Sequence, residues 1–149
     1  MPIPEFRPDG WLPEGHHPAT WDEIETCFGG APASRRAAVL SGLLQWRDAV
    51  RAKGMGGLII LGGSFISHKD APGDFDCIFV YNRFSFQTVS QDPEALALLD
   101  NAHCKGRYCG DVWAFSEEAV HEFPAFCRTD GFDLHKLTRQ PKGVVEVDL

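Results

Sequence analysis

Two acidic residues and a Gly-Ser pair have the types and the spacing of a metal-assisted phosphate site. Gly63 and Ser64 come directly after an apolar run, and nine residues separate Ser64 from Asp74. Asp74 and Asp76 stand two apart, so on a strand both carboxylates point to the same face. Two like charges this close repel each other unless a cation lies between them. Oxygen ligands of this kind suit Mg²⁺ or Mn²⁺, which also bind the phosphates of a nucleotide.

The residues around this motif supply further candidates. Glycine at position 63 lets the backbone approach a ligand closely, and Ser64 offers a hydroxyl and an amide to a phosphate. Lys69 lies in the loop before the paired acids and is a candidate phosphate contact, with a solvated loop lysine as the alternative. Asp111 opens a later apolar segment and is a candidate third metal ligand, since phosphoryl transfer often uses another carboxylate. Its alternative is an ordinary turn residue.

Hydrophobic patterning predicts the elements that must position these side chains. A continuous apolar run between glycines is typical of a buried strand, and alternating apolar residues indicate a half-buried one. The predicted strands are 57–61, 74–81, 111–115 and 143–147. The predicted helices begin after the cap residues Thr20, Ser34, Asp92 and Ser116. This order predicts an α+β fold, a mixed β-sheet with helices packed against it.

Other segments carry weaker predictions about burial. Residues 1–19 are rich in proline, and we expect an arm that wraps a surface in turns and extended segments. The basic residues of the predicted second helix are assigned mainly to a solvated face. Phe84 and Phe86, just after the second predicted strand, are assigned to the core, with exposure for stacking or docking as the alternative.

Length and composition limit the class of protein. The chain has 149 residues, which predicts a single domain over residues 1–149 with a core that needs no disulfide. The net charge of −7 argues against a broad basic surface for duplex DNA. The longest apolar run is far too short to cross a membrane. Five cysteines without a secretory signal indicate reduced thiols, and we expect a soluble, cytoplasmic protein.

The arrangement Gly63-Ser64, Asp74-x-Asp76 and a later Asp111 resembles the DNA polymerase beta-like nucleotidyltransferase superfamily. Within it, the chain is most similar to a group of small uncharacterised bacterial nucleotidyltransferase-like proteins. The shared segments cover nearly the whole chain, although the part from Gly63 to Asp76 is the specific one. They include an early Phe-x-x-x-Gly-x-Leu-Pro-x-Gly stretch, Gly-Ser-Phe followed by a lysine and a proline, and a Lys-Gly-Val ending.

The resemblance implies a nucleotidyltransferase-like fold and a role for each matching residue. Gly63 and Ser64 would hold the phosphates of a nucleoside triphosphate such as ATP. Asp74 and Asp76 would bind Mg²⁺ or Mn²⁺, and Asp111 would complete the metal site and help to deprotonate an acceptor hydroxyl. Such enzymes move a nucleoside monophosphate to a protein or nucleic-acid hydroxyl, including RNA, and release pyrophosphate. Minimal members occur in toxin–antitoxin or phage-defence modules, so a cognate toxin or antitoxin is an expected partner.

Two functional alternatives and one other metal site stay open at this point. The chain could be a catalytically silent nucleotide-binding or antitoxin-like module, or an interaction protein without ligand or metal. The other metal hypothesis is a zinc site, although its spacing fits no ordinary structural pattern. Its ligands would come from His103, Cys104, Cys109, His121 and His135.

Overall fold

A computed structural model of the chain describes residues 3–122 and 142–149. It contains a mixed five-stranded sheet with helices packed against it, which confirms the predicted α+β fold. The strand order is β1-β5-β2-β3-β4. The strands are β1 (His16–Pro18), β2 (Gly57–Gly62), β3 (Phe75–Tyr81), β4 (Gly110–Ser116) and β5 (Val144–Asp148). The β1–β5 and β3–β4 pairs are parallel, and the β2–β3 and β2–β5 pairs are antiparallel.

Helices begin at the caps that the sequence predicts for the first half of the chain. Thr20 accepts a hydrogen bond from the amide of Glu23, and Ser34 accepts one from the amide of Ala37. Each bond satisfies an amide that the first helical turn leaves unpaired. The helices are α1 (Trp21–Phe28), α2 (Arg35–Ala52), α3 (Arg83–Gln91), α4 (Pro93–Ala97) and α5 (Asn101–Tyr108). Two 3₁₀ segments cover Ser64–Ile66 and Glu117–Glu122.

The main core lies between α2 and one face of the sheet. Helix α2 buries a stripe with helical spacing that includes Val39, Leu43 and Trp46. The Trp46 ring lies 5.6 Å from the ring of Phe79 on β3, and its indole N–H donates to the carbonyl of Leu98 at 2.9 Å. The buried indole therefore combines an apolar contact with a satisfied donor.

A second apolar cluster lies on the other face of the sheet. It consists of Ile60, Ile78, Val80 and Val144. Because successive strand residues point to opposite faces, Asp76 shares this face with Ile78 and Val80. The acidic motif therefore lies at one end of an apolar sheet face, on the side away from α2.

The connection from β3 to β4 differs from the prediction. A helix does begin after the Asp92 cap, but α4 is short, and α3 and α5 flank it. Parallel neighbours cannot be joined by a hairpin and need a long crossover. The three helices supply that crossover, and α5 ends next to the start of β4.

One prediction about burial was wrong. Phe84 and Phe86 lie on α3 with 75% and 55% of their surface exposed, so they do not belong to the core. The proline-rich arm contains an extended segment of the expected kind, strand β1, which pairs with β5. Among the basic residues of α2, Arg36 departs from a solvated face, because its half-buried guanidinium donates to backbone carbonyls of the loop that follows β2. Arg35 is exposed as expected, although its guanidinium also donates to a carbonyl of this loop. None of the helices within the described part of the chain is both long and apolar enough to span a bilayer.

Candidate metal and phosphate site

The sheet register brings the predicted site residues to one place. Asp76 on β3 is the Cα partner of Gly62 at the end of β2 and of Asp111 on β4. Asp74 lies one residue before β3, two positions from Asp76. Because β3 and β4 run parallel and in this register, Asp76 and Asp111 share one face of the sheet. The fold thus brings Asp74, Asp76 and Asp111 together in a single cluster.

The three aspartates can act as one set of metal ligands. Each offers a carboxylate oxygen, and these oxygens all lie within 4.8 Å of one another. Asp74 and Asp111 are partly exposed, with 24% and 20% of their side chains accessible. A set made of carboxylate oxygens suits hard divalent cations. The three carboxylates could therefore hold a metal ion.

The turn after β2 fits tightly against this cluster. Gly63 has φ +73°, a conformation that glycine adopts at little cost. A Cβ atom on Gly63 would overlap a carboxylate oxygen of Asp76. Glycine is therefore suited to this position for two reasons: it adopts the left-handed backbone conformation at little cost, and it leaves room for the Asp76 carboxylate.

Ser64 follows at the start of the 3₁₀ segment, and Lys69 lies further along the loop. The carbonyl of Ser64 accepts a hydrogen bond from the hydroxyl of Ser67 at 2.7 Å. Within residues 3–122 and 142–149, the Ser64 hydroxyl makes no hydrogen bond, so it can bind a ligand. Lys69 is exposed, and its ammonium forms no ion pair with the described acidic residues. The structure thus places the turn of Gly63 and Ser64 beside Asp76, whereas Lys69 makes no ion pair with the acids.

A lysine on α5 neutralises part of the acidic charge. The Lys105 ammonium lies 2.7 Å from a carboxylate oxygen of Asp74 and 2.9 Å from one of Asp111. These two hydrogen bonds raise the pKa of Lys105 above its ordinary value. The ammonium takes the bridging position that a cation is expected to occupy.

The third carboxyl is left without such a partner. Burial raises the pKa of Asp76, and the charges of Asp74 and Asp111 raise it further, to about 7. A hydrogen bond between the carboxyls of Asp76 and Asp111 also favours the protonated form of Asp76. For Asp111, burial opposes ionisation, but contact with Lys105 outweighs it, and the pKa of Asp111 lies below its ordinary value. The cluster therefore remains short of positive charge.

Two arginines of α2 fix the loop that carries the phosphate candidates. Arg36 donates to the carbonyls of Phe65, at 2.6 Å, and of Lys69, at 2.5 Å. It also donates to the carbonyls of Phe28 and Ser67. Arg35 donates to the carbonyl of Pro72 at 3.2 Å, just before the paired acids. Backbone carbonyls that would lack partners in a loop are satisfied here by side chains.

Comparison with known proteins gives one clear result. The sequence profile of DUF6932, a family of unknown function, matches residues 4–148. The chain belongs to the DUF6932 family. Neither a curated protein nor a solved structure matches the chain.

The alternative zinc site is not assembled in the described part of this DUF6932 protein. Cys104 is buried and its thiol donates to the carbonyl of Leu98 at 3.1 Å, whereas His103 is exposed. His135 lies outside the described residues. Among residues 3–122 and 142–149, the cluster that can hold a metal ion is the one formed by the three aspartates.

Three residues at the site of this DUF6932 protein were missed by sequence reasoning. Lys105 stands six positions before Asp111, and its signal would have been a basic residue on a helix that leads directly into the strand with the third acid. Arg35 and Arg36 carried no such signal, because two arginines at a helix start are indistinguishable in sequence from a solvated face. Their role depends on a loop about thirty positions away, as the contacts of Arg36 with Phe65 and Lys69 show.

Proposed function

We propose that this protein is a metal-dependent nucleotidyltransferase that moves a nucleoside monophosphate from a nucleoside triphosphate to a hydroxyl of a protein or an RNA. One observation carries the proposal. Asp74, Asp76 and Asp111 converge beside the turn of Gly63 and Ser64. Such a site places metal ligands next to a backbone turn that can approach phosphate closely. The resemblance to the DNA polymerase beta-like superfamily supports the same activity.

The residues fit Mg²⁺ or Mn²⁺ on two counts. All three donors are carboxylates, which hard cations prefer. In addition, the Lys105 ammonium bridges Asp74 and Asp111, so an attached cation already stands in for the ion. When bound, the ion would neutralise the phosphate charge and polarise the phosphorus–oxygen bonds.

The chain's own groups would then position and activate the reactants. The Ser64 hydroxyl and the backbone at Gly63 would bind the triphosphate and orient its α-phosphorus. Asp111 would accept the proton of the acceptor hydroxyl, whose oxygen forms a new bond to that phosphorus. The bond from the α-phosphorus to the bridging oxygen breaks, and pyrophosphate leaves with the bonding electron pair. Positioning and charge neutralisation are the main sources of rate in this chemistry.

The proposed partners follow from the resemblance alone. A cognate toxin or antitoxin, or an RNA, would provide the acceptor hydroxyl. The reduced thiols expected from the sequence place the proposed activity in the cytoplasm. Comparing ATP with the other three nucleoside triphosphates would show which base the protein prefers.

The test uses the full chain with Mg²⁺ or Mn²⁺ and each of the four labelled nucleoside triphosphates, in cell extract as a source of acceptors. We expect pyrophosphate release and transfer of label to a macromolecule, with a nucleoside monophosphate adduct visible by mass spectrometry. Asp111→Asn should abolish both signals, whereas Asp48→Asn, a change of the same type at an exposed position on α2, should leave them intact. Label transfer that survives Asp111→Asn would overturn the proposal.

A catalytically silent nucleotide-binding or antitoxin-like module is the second candidate. The bridging position of Lys105 favours it, because that ammonium compensates two of the three carboxylates without a metal ion. In that case the same experiment would give nucleotide binding by equilibrium dialysis with no pyrophosphate release under any condition.

A further inference from the structure

We propose, resting on the metal-dependent activity above, that Lys105 is an exchangeable counter-ion that couples metal binding to phosphate binding. Its ammonium bridges Asp74 and Asp111. If Asp74 and Asp111 hold a divalent ion, the Lys105 ammonium would leave this position and would bind the triphosphate of the incoming nucleotide.

The displacement follows from the geometry of the cluster. The oxygens that contact the ammonium belong to two of the three carboxylates that lie within 4.8 Å of one another. An ammonium and a metal ion cannot share this space, because two cations at such short range repel each other. The exchange is feasible because 54% of the Lys105 side chain is exposed, and exposed ion pairs are weak.

The displaced ammonium stays close to the site because α5 is fixed on both sides of Lys105. Cys104 and Tyr108 are buried in the core. The backbone of Gly42 on α2 packs so closely against the carbonyl of Tyr108 that a Cβ atom would not fit between them. Lys105 can therefore swing about its flexible stem while its backbone stays in place.

The charges then favour the ammonium at the phosphates. Once an ion holds the carboxylates, the triphosphate brings new negative charge to the same place. An ammonium next to phosphate oxygens forms charge-assisted hydrogen bonds, which are stronger than neutral ones. Lys105 therefore opposes the binding of metal alone and favours the binding of metal together with triphosphate.

The exchange predicts that removing the Lys105 charge changes the affinities for Mn²⁺ and for triphosphate in opposite directions. Loss of structure would weaken both. Lys105→Met keeps the length of the side chain and removes its charge. We expect it to bind Mn²⁺ alone roughly three- to thirtyfold more tightly, because two exposed ion pairs no longer compete. We expect it to bind inorganic triphosphate in saturating Mn²⁺ roughly tenfold more weakly, because a charged hydrogen bond is lost.

The experiment measures both affinities for the full chain by isothermal titration calorimetry, with Mn²⁺ and then inorganic triphosphate as the probes. Arg107→Met is the matched control, because it removes one positive charge from the exposed surface of the same helix without touching the acids. It should change both affinities by less than about twofold. Circular dichroism melting verifies that all variants are folded.

Each result has one meaning. Tighter Mn²⁺ binding with weaker triphosphate binding in Lys105→Met supports the exchange. Unchanged Mn²⁺ affinity, or a change equal to that of Arg107→Met, overturns it while leaving the metal site intact. Tighter Mn²⁺ binding with unchanged triphosphate binding also overturns it, since the phosphate role is then absent. If neither the unmodified chain nor Lys105→Met binds Mn²⁺, the metal-dependent function itself is wrong.

Discussion

At the scale of single residues, Asp76 differs most from its solution behaviour. Burial and the neighbouring charges of Asp74 and Asp111 raise its pKa to about 7. An aspartate in an unfolded chain titrates near about 3.9. Between these values the folded protein binds more protons than the unfolded one, so the free energy of unfolding of the metal-free protein falls as the pH rises from about 4 to about 7.

Asp76→Asn should remove this contribution. Asparagine is neutral and can still donate a hydrogen bond to Asp111, so it imitates the protonated acid. We expect the variant to be more stable than the unmodified chain by roughly 1–3 kcal/mol at about pH 8 and to differ little at about pH 4. Urea denaturation with a chelator present, over this pH range, measures the difference. Asp70→Asn, at an exposed loop position, is the control, and identical pH profiles for all three proteins would contradict the assignment.

Gly63 is the second residue of interest, because its close contact with Asp76 leaves no room for a side chain. In Gly63→Ala the new methyl group would meet the Asp76 carboxylate, and alanine would have to adopt φ +73°. We expect a loss of roughly 1–3 kcal/mol in the free energy of unfolding and weaker Mn²⁺ binding. Gly73→Ala is the matched control, because nothing lies within 4 Å of a Cβ atom there. Equal stability of the two variants would show that the close contact is unimportant.

At the scale of elements, α2 organises the loop between β2 and β3. The Arg36 guanidinium donates to four carbonyls, three of them in or next to this loop. No segment of regular structure holds the loop after the 3₁₀ turn until β3 begins at Phe75. Its position beside the acids therefore depends on side-chain hydrogen bonds from the helix.

Arg36→Gln should release the loop, because a glutamine cannot reach four carbonyls. We expect a loss of roughly 2–4 kcal/mol in the free energy of unfolding, since several carbonyls lose their partners. Amide hydrogen exchange should rise over residues 64–73. Arg51→Gln, an exposed arginine on the same helix that donates to the carbonyl of Leu149, is the comparison and should leave that loop protected. Unchanged exchange in Arg36→Gln would mean that the loop is held by other contacts.

At the scale of the whole molecule, part of the excess acidic charge is concentrated in the cluster of three aspartates. The chain carries a net charge of −7, and three of its acids meet at one place with one lysine between them. A ligand that binds only the folded state stabilises it by mass action, by about 2.7 kcal/mol at a hundredfold excess over Kd. Metal binding should therefore be visible as a change in the stability of the entire chain.

Millimolar Mg²⁺ together with ATP should raise the melting temperature of the unmodified protein by a few degrees. The double variant Asp74→Asn/Asp111→Asn lacks two of the ligands and should show no rise. Differential scanning calorimetry with and without chelator measures both. If no ion binds the acids, Mg²⁺ with ATP would leave the melting temperature of both proteins unchanged.

Local sequence was enough to indicate much of this architecture. The caps at Thr20 and Ser34 and the buried strand β2 depend on residues a few positions apart, so their chemistry is visible in the sequence. The alternation over β3 also predicted that Asp76 faces away from Phe75 and Cys77. Those local rules named all three aspartates.

Only the tertiary structure decided how distant segments meet. The β3–β4 register pairs Asp76 with Asp111 across a crossover of three helices, and no local pattern fixes such a register. The same folding brings Lys105 onto two carboxylates and Arg36 onto a remote loop, and it leaves Phe84 exposed. Residue types and short-range spacing set which groups can bind a cation, whereas the packing of helices on the sheet sets which of those groups share one space.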